Sequence, residues 1–419
     1  MDRISIAPSQ VFLTGQALEA ICEWSNTLKS FQQRLSPYFA RTEARQAAFN
    51  YIQALLSPVE RKNGWQIAEQ VGNANPYRVQ HLLGRAQWDA EKVCHEVRQY
   101  GVEGLSESDD IFAVDETGFL KQGHQSVGVQ VQYYGTTGHL ENCQVGVFLA
   151  YITGKGHSLI DRRLYLPKSW ADDADKRSKV GVPKTVKFAT KAQLAQQMLQ
   201  SAWDAGLRSA WVVADEVYGN DAGFWWWLEK TGQQPYVLTV NKKQSVVIGW
   251  QPYRAEAVCQ SLSPEQWQRL SCGQGSKGER EYEWARVAIN CGDSGEFQRW
   301  LVFRRSLEQI DSPQHISYYQ VFAPKDTSLA TIAKVAGKRW GIEECFKLAK
   351  SQLGLADYEV RSWVGWHRHM TLVIAAQVFL SGLRVQVEPR IKEAESASPP
   401  LALVGSLGVF KALRKLSSN

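Results

Sequence analysis

The sequence predicts a mixed α/β protein in which a helical region precedes a sheet-containing core. Two observations carry this. Residues 15 to about 105 return apolar side chains at three- and four-residue spacing, the period of helices with one buried face. From about Ile111 the texture changes to β-branched and aromatic runs separated by Gly-rich turns, and further on helical and strand-like runs alternate, as in a sheet covered by helices.

The first part contains three helical stretches: "ALEAICEWSNTLKSFQQRL", "RTEARQAAFNYIQALLS" and "RAQWDAEKVCHEVRQYG". Between the last two lies "NGWQIAEQVGNANPYRVQHLLGRA", where Ala68, Gly72, Val79 and Leu82 fall close to the small-residue, turn and core positions of a helix-turn-helix. The turn is one residue long for that motif, so a plain helical hairpin is the competing reading. An antiparallel set comes next: "IFAVDETGF", "SVGVQVQYYG", "CQVGVFLAYIT" and "SLIDRRLYL". The Gly-Lys-Gly of "TGKGHS" lacks the Walker spacing and reads as a hairpin turn.

After it stand a helix, "TKAQLAQQMLQSAWDAG", the strand "AWVVA", a helix, "DAGFWWWLEKTG", and the strand "PYVLTVNKK". Residues 245 to 325 bring more strands ("EYEWARVAI", "RWLVFRRSL", "ISYYQVFAP"), after which "SLATIAKVAGKRWGIEECFKLAKSQLGL" is helical, with Ile342, Cys345, Phe346 and Ala349 on one stripe. The run "RHMTLVIAAQVFLSGLRVQV" is apolar enough to be a buried helix, and "ESASPP" opens a mobile tail with a basic end.

At 419 residues the chain has room for two or three domains. An apolar fraction of 44% with 21% charged residues is that of a folded soluble protein rather than a disordered one. The net charge of +6 and pI near 8.8 permit a nucleic-acid partner without demanding one. Seven scattered cysteines (Cys22, Cys94, Cys143, Cys259, Cys272, Cys291, Cys345), never spaced as CxxC, point to reduced thiols in a cytoplasm and away from structural zinc. Neither a signal peptide nor a membrane span is expected.

Chemistry is suggested by two acidic pairs. "IFAVDETGFL" and "WVVADEVYGN" each set Asp-Glu after an apolar run. Ligand sites in α/β sheets gather beyond the carboxyl ends of strands, which makes Asp115 and Asp215 candidates, although a cap or turn role is the commoner fate of one such residue. A third acid, Glu343, shares a helix face with Arg339, Lys347 and Lys350; alone it would read as a solvated salt-bridge ladder. Together the three make an oxygen-ligand set for two Mg²⁺ ions, with Mn²⁺ as an alternative, and the basic residues would hold polynucleotide phosphates.

With these motifs in this order the chain resembles the DDE transposases of bacterial insertion sequences. Within them it is most similar to the insertion-sequence seven-hundred-and-one group, in the branch with a Tyr-x2-Arg-x3-Glu-x6-Lys signature. Arg339, Glu343 and Lys350 match that spacing, whereas Ala336 stands at the Tyr position and leaves that side chain's role unassigned. The likeness implies an RNase H-like catalytic core with a β-strand-rich insertion domain and a helical N-terminal DNA-binding domain. The expected division is 1–108 helical, 109–244 core, 245–325 insertion, 326–385 second part of the core and 386–419 tail. It further implies Asp115, Asp215 and Glu343 as catalytic metal ligands, Arg339 and Lys350 as phosphate contacts, and double-stranded DNA as substrate. Because two transposon ends must meet, a homodimer on DNA is expected, in the cytoplasm and on the nucleoid when DNA-bound.

The remaining expectations are local. Tyr77, Arg78, Gln80, His81 and Arg85 are the candidates for reading DNA sequence. Glu116 and Glu216 are expected to point away from the ligands if the chain stays extended there, because side chains alternate, with hydrogen-bond acceptance beside the metal or contact with it as the lesser alternatives. Trp225, Trp226 and Trp227 cannot share one helix face; core packing is the first reading, and stacking of one of them on an extruded base the second. The "HRH" at 367–369 has a spacing ill suited to a shared metal. A nuclease that cuts without joining, and a domesticated DNA-binding protein, are the rival functions.

Overall fold

The computed structural model describes residues 15–397 apart from 136, 276–277, 291–294 and 310–314, with side chains outside the description also at 15–22, 275, 309 and 387–397. The Cys22 side chain, Cys291 and the basic C-terminal end therefore lie outside the description. The five remaining cysteines are all free and buried.

Five helices come first: α1 (Gly15–Leu35), α2 (Thr42–Leu55), α3 (Gly64–Gln70), α4 (Tyr77–Gly84) and α5 (Ala90–Leu105). Asn63 and Asp89 cap α3 and α5 by accepting from their first free backbone N–H groups. Gly72, at φ 74°, makes the left-handed turn that ends α3, and Asn73 N–H closes it on the Ala68 carbonyl at 2.8 Å. Two helices thus meet at this turn, as both the helix-turn-helix and the helical-hairpin readings expect.

The strands begin with β1 (Ile111–Leu120), β2 (Gln130–Tyr134), β3 (His139–Ile152) and β4 (His157–Leu164). After α6 (Lys168–Ala171), α7 (Ala174–Val180) and α8 (Lys191–Asp204) comes β5 (Trp211–Ala214), then α9 (Glu216–Gly219), α10 (Ala222–Trp227) and β6 (Tyr236–Val240). A small hairpin, β7 (Ser245–Ile248) with β8 (Gln251–Arg254), and α11 (Ala255–Gln260) precede β9 (Gln268–Gly275), β10 (Gly278–Ile289), β11 (Phe297–Arg305) and β12 (Ile316–Pro324). Three helices finish the described chain: α12 (Leu329–Lys338), α13 (Trp340–Gln352) and α14 (Trp363–Ala397).

Ten strands form one mixed sheet in the order β2-β3-β1-β5-β6-β12-β11-β10-β9, with β4 also paired to β3. The trio β1, β5 and β6 is parallel and every other pairing in this sheet is antiparallel. Parallel strands must be covered on both faces, and β5, "WVVA", is buried along its whole length.

Two expectations change here. Residues 245–325 do not build a sheet of their own beyond the β7–β8 hairpin: β12 pairs with β6, so β9–β12 extend the central sheet and add a separate apolar cluster around Ala285, Leu301, Phe303 and Tyr318. The open edge of β6 needs a partner, and the later strands supply it. The tail boundary at 386 falls inside α14, which runs on to Ala397.

The α14 helix joins the helical region to the sheet. Its stretch from Trp366 to Phe379 is buried throughout, as its composition predicts. Arg368 donates to the carbonyls of Leu82, Ala86 and Trp88 at 3.2, 2.6 and 2.7 Å, which anchors the C-terminal end of α4 to the core. His367 and His369 are buried, and burial pushes both imidazoles down, to about 3, so they stay neutral. His369 Nδ1 meets the Tyr51 hydroxyl at 2.8 Å, a structural pairing rather than a shared metal.

Candidate active site

The site forms where β1 outruns its parallel neighbour. Pairing with β5 stops at Val114–Ala214, while pairing with β3 continues to Leu120–Cys143, so β1 stays extended through Asp115 and Glu116. Asp115 is therefore in mid-strand, contrary to the strand end expected, yet it stands at the carboxyl end of the parallel trio. Asp215 does stand directly after β5. Its side chain accepts from Val217 N–H at 2.9 Å and caps α9. That short helix lies hard against β6: a Cβ on Gly219 would come 1.9 Å from the Thr239 carbonyl oxygen, so only glycine fits there.

One oxygen from each of Asp115, Glu116 and Asp215 lies within 4.8 Å of the others, the only such group of three among the described residues. Glu216 points away, accepting from Asn241 Nδ2 at 2.8 Å, but as the first residue of α9 rather than by the alternation of an extended chain. Glu116 does not. Lys191 Nζ, from the start of α8, donates to its Oε1 at 2.6 Å, and the buried Tyr218 hydroxyl, from α9, donates to its Oε2 at 2.8 Å. Neither Lys191 nor Tyr218 stands out in the sequence, except that Tyr218 comes three residues after Asp215 within "DEVYG".

The third expected acid is reached indirectly. Arg339 spans the gap, with Nη1 3.4 Å from Asp115 Oδ2 and Nη2 2.6 Å from Glu343 Oε1. Glu343, 47% exposed, is outside the cluster of three. Nor is it in mid-helix: the helix breaks at Arg339, which ends α12 and begins α13, so Glu343 lies in the first turn of α13, where the helix dipole favours a carboxylate. The break comes just after Gly337, which packs on β9 so closely that a Cβ would meet the Cys272 carbonyl oxygen at 2.4 Å. On the same helix Lys347 is exposed and pairs with Glu344 at 3.6 Å, and Lys350 lies 6.0 Å from the Tyr134 ring centre. Burial lowers the Lys350 ammonium below its ordinary value.

Burial, and then the Asp215 charge, hold the Asp115 carboxyl well above the usual carboxylate range, with Arg339 working the other way. Asp215 is also raised, by burial first and then by the Glu116 charge. Burial disfavours the Arg339 charge, but Asp115, Glu343 and Asp215 outweigh it and hold the guanidinium charged. Crowded carboxylates raised in this way cost the fold stability, a perturbation that gathers at functional sites.

A family model described as DDE superfamily endonuclease matches residues 34–293. The chain belongs to that family. The match begins in α1 and runs past β10, so it takes in Asp115 and Asp215 and ends before Arg339 and Glu343. A relative, "Probable transposase for insertion sequence element IS701" of Microchaete diplosiphon, is 23% identical over 361 residues, covering 85% of this chain and 84% of its own. A solved structure, that of a piggyBac transposase synaptic complex with hairpin DNA, is a remote likeness at 11% identity and a TM-score of 0.43, covering 97% of this chain and 83% of that one.

The helical region of the endonuclease presents its own face. Tyr77, Arg78, Gln80, His81 and Arg85 are all exposed on α4 or just after it, while Val79, Leu82 and Leu83 are buried beneath them. The Tyr77 and His81 rings stack at 6.2 Å. Of the three tryptophans, Trp226 is 56% exposed, whereas Trp227 stacks on Trp203 at 4.8 Å and Trp225 packs beneath Arg299 at 4.5 Å. No helix among the described residues is long and apolar enough to cross a membrane.

Proposed function

We propose that this endonuclease is a DDE transposase, which cuts DNA at the ends of an insertion sequence and joins the freed 3′ ends to target DNA. The observation that carries the reading is the convergence of Asp115 and Asp215 at the carboxyl end of the parallel strands, with Arg339 bridging Asp115 to Glu343. The donor set is all carboxylate oxygen, the chemistry that hard divalent cations take. Among the described residues the four carboxylates there pair with Lys191 and Arg339, so ionised they leave two negative charges uncompensated, which suits Mg²⁺ or Mn²⁺.

Bound cations would supply Lewis-acid activation of a water or 3′-hydroxyl and stabilise the leaving oxygen. Asp115 and Asp215 serve as their rigid ligands, one fixed by the β1–β3 ladder and one by the α9 cap. Glu343, joined to Asp115 through Arg339, would be the third ligand. Lys347 and Lys350 extend a phosphate-holding row from Arg339 along α13. Catalysis rests on positioning and on charge placed in advance, with no covalent protein intermediate.

The finer architecture belongs to the same reading: an RNase H-like core from β1–β6 with α12–α13, a β-rich addition over 245–325, and residues 1–108 as the DNA-binding region. The α4 face reads sequence, Trp226 is the stacking surface for an extruded base, and a dimer pairs the two DNA ends. Replacing Arg78 and Arg85 by alanine is expected to weaken binding to the element's ends by about 1–3 kcal/mol for each base-reading side chain removed. Unchanged affinity in a gel-shift titration would remove α4 from the interface.

The test uses a short duplex carrying the inverted ends that flank this gene, with Mg²⁺, comparing wild type with Asp215→Asn. Strand-joined products that vanish in the variant support the transposase. Cleavage without joining would make it a nuclease, and binding without cleavage a DNA-binding protein that kept the fold.

A further inference from the structure

Glu116 is the acid that alternation should have turned away. It nevertheless places an oxygen within 4.8 Å of ligand atoms of Asp115 and Asp215, in a half-buried position where like charges repel. Two donors hold it there. Lys191 takes one oxygen and Tyr218 the other, and both come from elements that also frame the site: Lys191 opens α8 directly after its Thr190 capping box, and Tyr218 lies in α9, the helix that Asp215 caps. Tyr218 is fully buried against Phe224, so its hydroxyl has a fixed position. A carboxylate oxygen that accepts one hydrogen bond keeps a second lone pair for a cation.

We infer that Glu116 is a ligand of the divalent-cation site, and that Tyr218 and Lys191 are positioning residues that hold its carboxylate towards Asp115 and Asp215. This rests on the metal-dependent reading of the site and adds to it. On this view the chain has a cation site complete from β1 and β5 alone, without Glu343. Partners that orient a ligand typically matter about 10–100-fold in metal affinity.

The experiment is isothermal titration of the full chain with Mn²⁺ in the absence of DNA, for wild type, Asp115→Asn, Glu116→Gln and Tyr218→Phe. Wild type is expected to bind and Asp115→Asn to lose binding. Glu116→Gln should weaken affinity about 10–100-fold and Tyr218→Phe about tenfold. Tyr218→Phe keeps the ring packed on Phe224, so it reports positioning even if Glu116→Gln folds poorly. A purely structural hydroxyl would lower the melting temperature and leave Mn²⁺ affinity alone. If Glu116→Gln and Tyr218→Phe bind like wild type while Asp115→Asn does not, Glu116 is no ligand and the transposase reading survives. If wild type itself takes up no Mn²⁺, the inference of a cation site formed without DNA falls, while strand joining with Mg²⁺ still decides the transposase reading.

Discussion

Asp115→Asn is expected to lower strand cleavage on the order of 10³-fold or more while raising the melting temperature of the metal-free protein. The first effect comes from losing a ligand whose cation supplies several kcal/mol of transition-state stabilisation, at about 1.4 kcal/mol per factor of ten. The second comes from the ground state. Burial and the Asp215 charge raise the Asp115 carboxyl, and burial and the Glu116 charge raise Asp215. A group whose folded-state pKa lies above its unfolded one contributes stability that is full below the unfolded value, at about pH 4, and is lost as pH rises through the folded one.

The metal-free protein should therefore lose stability from weakly acidic pH towards neutrality, and a divalent cation should restore it. Asparagine copies the protonated form and removes the repulsion. Differential scanning calorimetry at neutral pH is expected to show a gain of roughly 1 °C for each kcal/mol relieved, a flatter pH dependence, and little response to Mg²⁺. A variant that melts below wild type without metal, or that gains as much from Mg²⁺, would mean that Asp115 is an ordinary structural carboxylate.

The same residues mark how far the sequence could be read. The helices α1, α2 and α5 and the strands β1 and β3 are legible from local periodicity, because each buries one face and the pattern lies within the element. Asp215 was legible for a similar reason: "WVVA" must be buried, so the polar residue after it must emerge. The features that stayed hidden are non-local. That β1 outlasts β5 by six residues depends on β3 pairing along its full length, and this pairing puts Asp115 in mid-strand. Alternation did not apply at Glu216, where a helix begins, and failed for Glu116, because Lys191 and Tyr218 arrive from elements 75 and 102 residues distant. The helix break at Arg339 was masked by an unbroken apolar stripe. Its neighbour Gly337 reads as a mild helix breaker, and only the nearness of β9 shows why glycine is needed there. Likewise nothing local says that β6 has an open edge, so the joining of β9–β12 to the central sheet could not be read from the strands after residue 245.

Asp161→Ala is expected to cost about 3–5 kcal/mol of folding stability, the largest loss anticipated for any single residue outside the site. Asp161 is wholly buried on β4, and its Oδ2 accepts from Arg98 of α5 at 2.5 Å. Its Oδ1 accepts from Arg163 at 2.9 Å and from the Arg162 backbone N–H at 2.7 Å. The Arg162 guanidinium, also wholly buried, lies 3.4 Å away and reaches Glu91 at 2.9 Å. Burial alone would raise the Asp161 carboxyl; Arg163, Arg98 and Arg162 more than reverse it, so the folded-state pKa is depressed. Its contribution is thus present above the unfolded value and lost as pH falls, the opposite of Asp115. Removing the carboxylate leaves Arg98 and Arg162 buried without their shared counter-charge, which is why the cost should exceed that of a broken surface pair, about 0–1 kcal/mol. Because Arg98 belongs to α5 and Asp161 to the sheet, the damage should fall on the seam between helical region and core. Urea unfolding should show the reduced free energy, and hydrogen exchange should show α5 losing protection before β1. A loss under about 1 kcal/mol, or exchange that loosens the sheet and spares α5, would mean that the seam is held by the apolar packing of α14 instead.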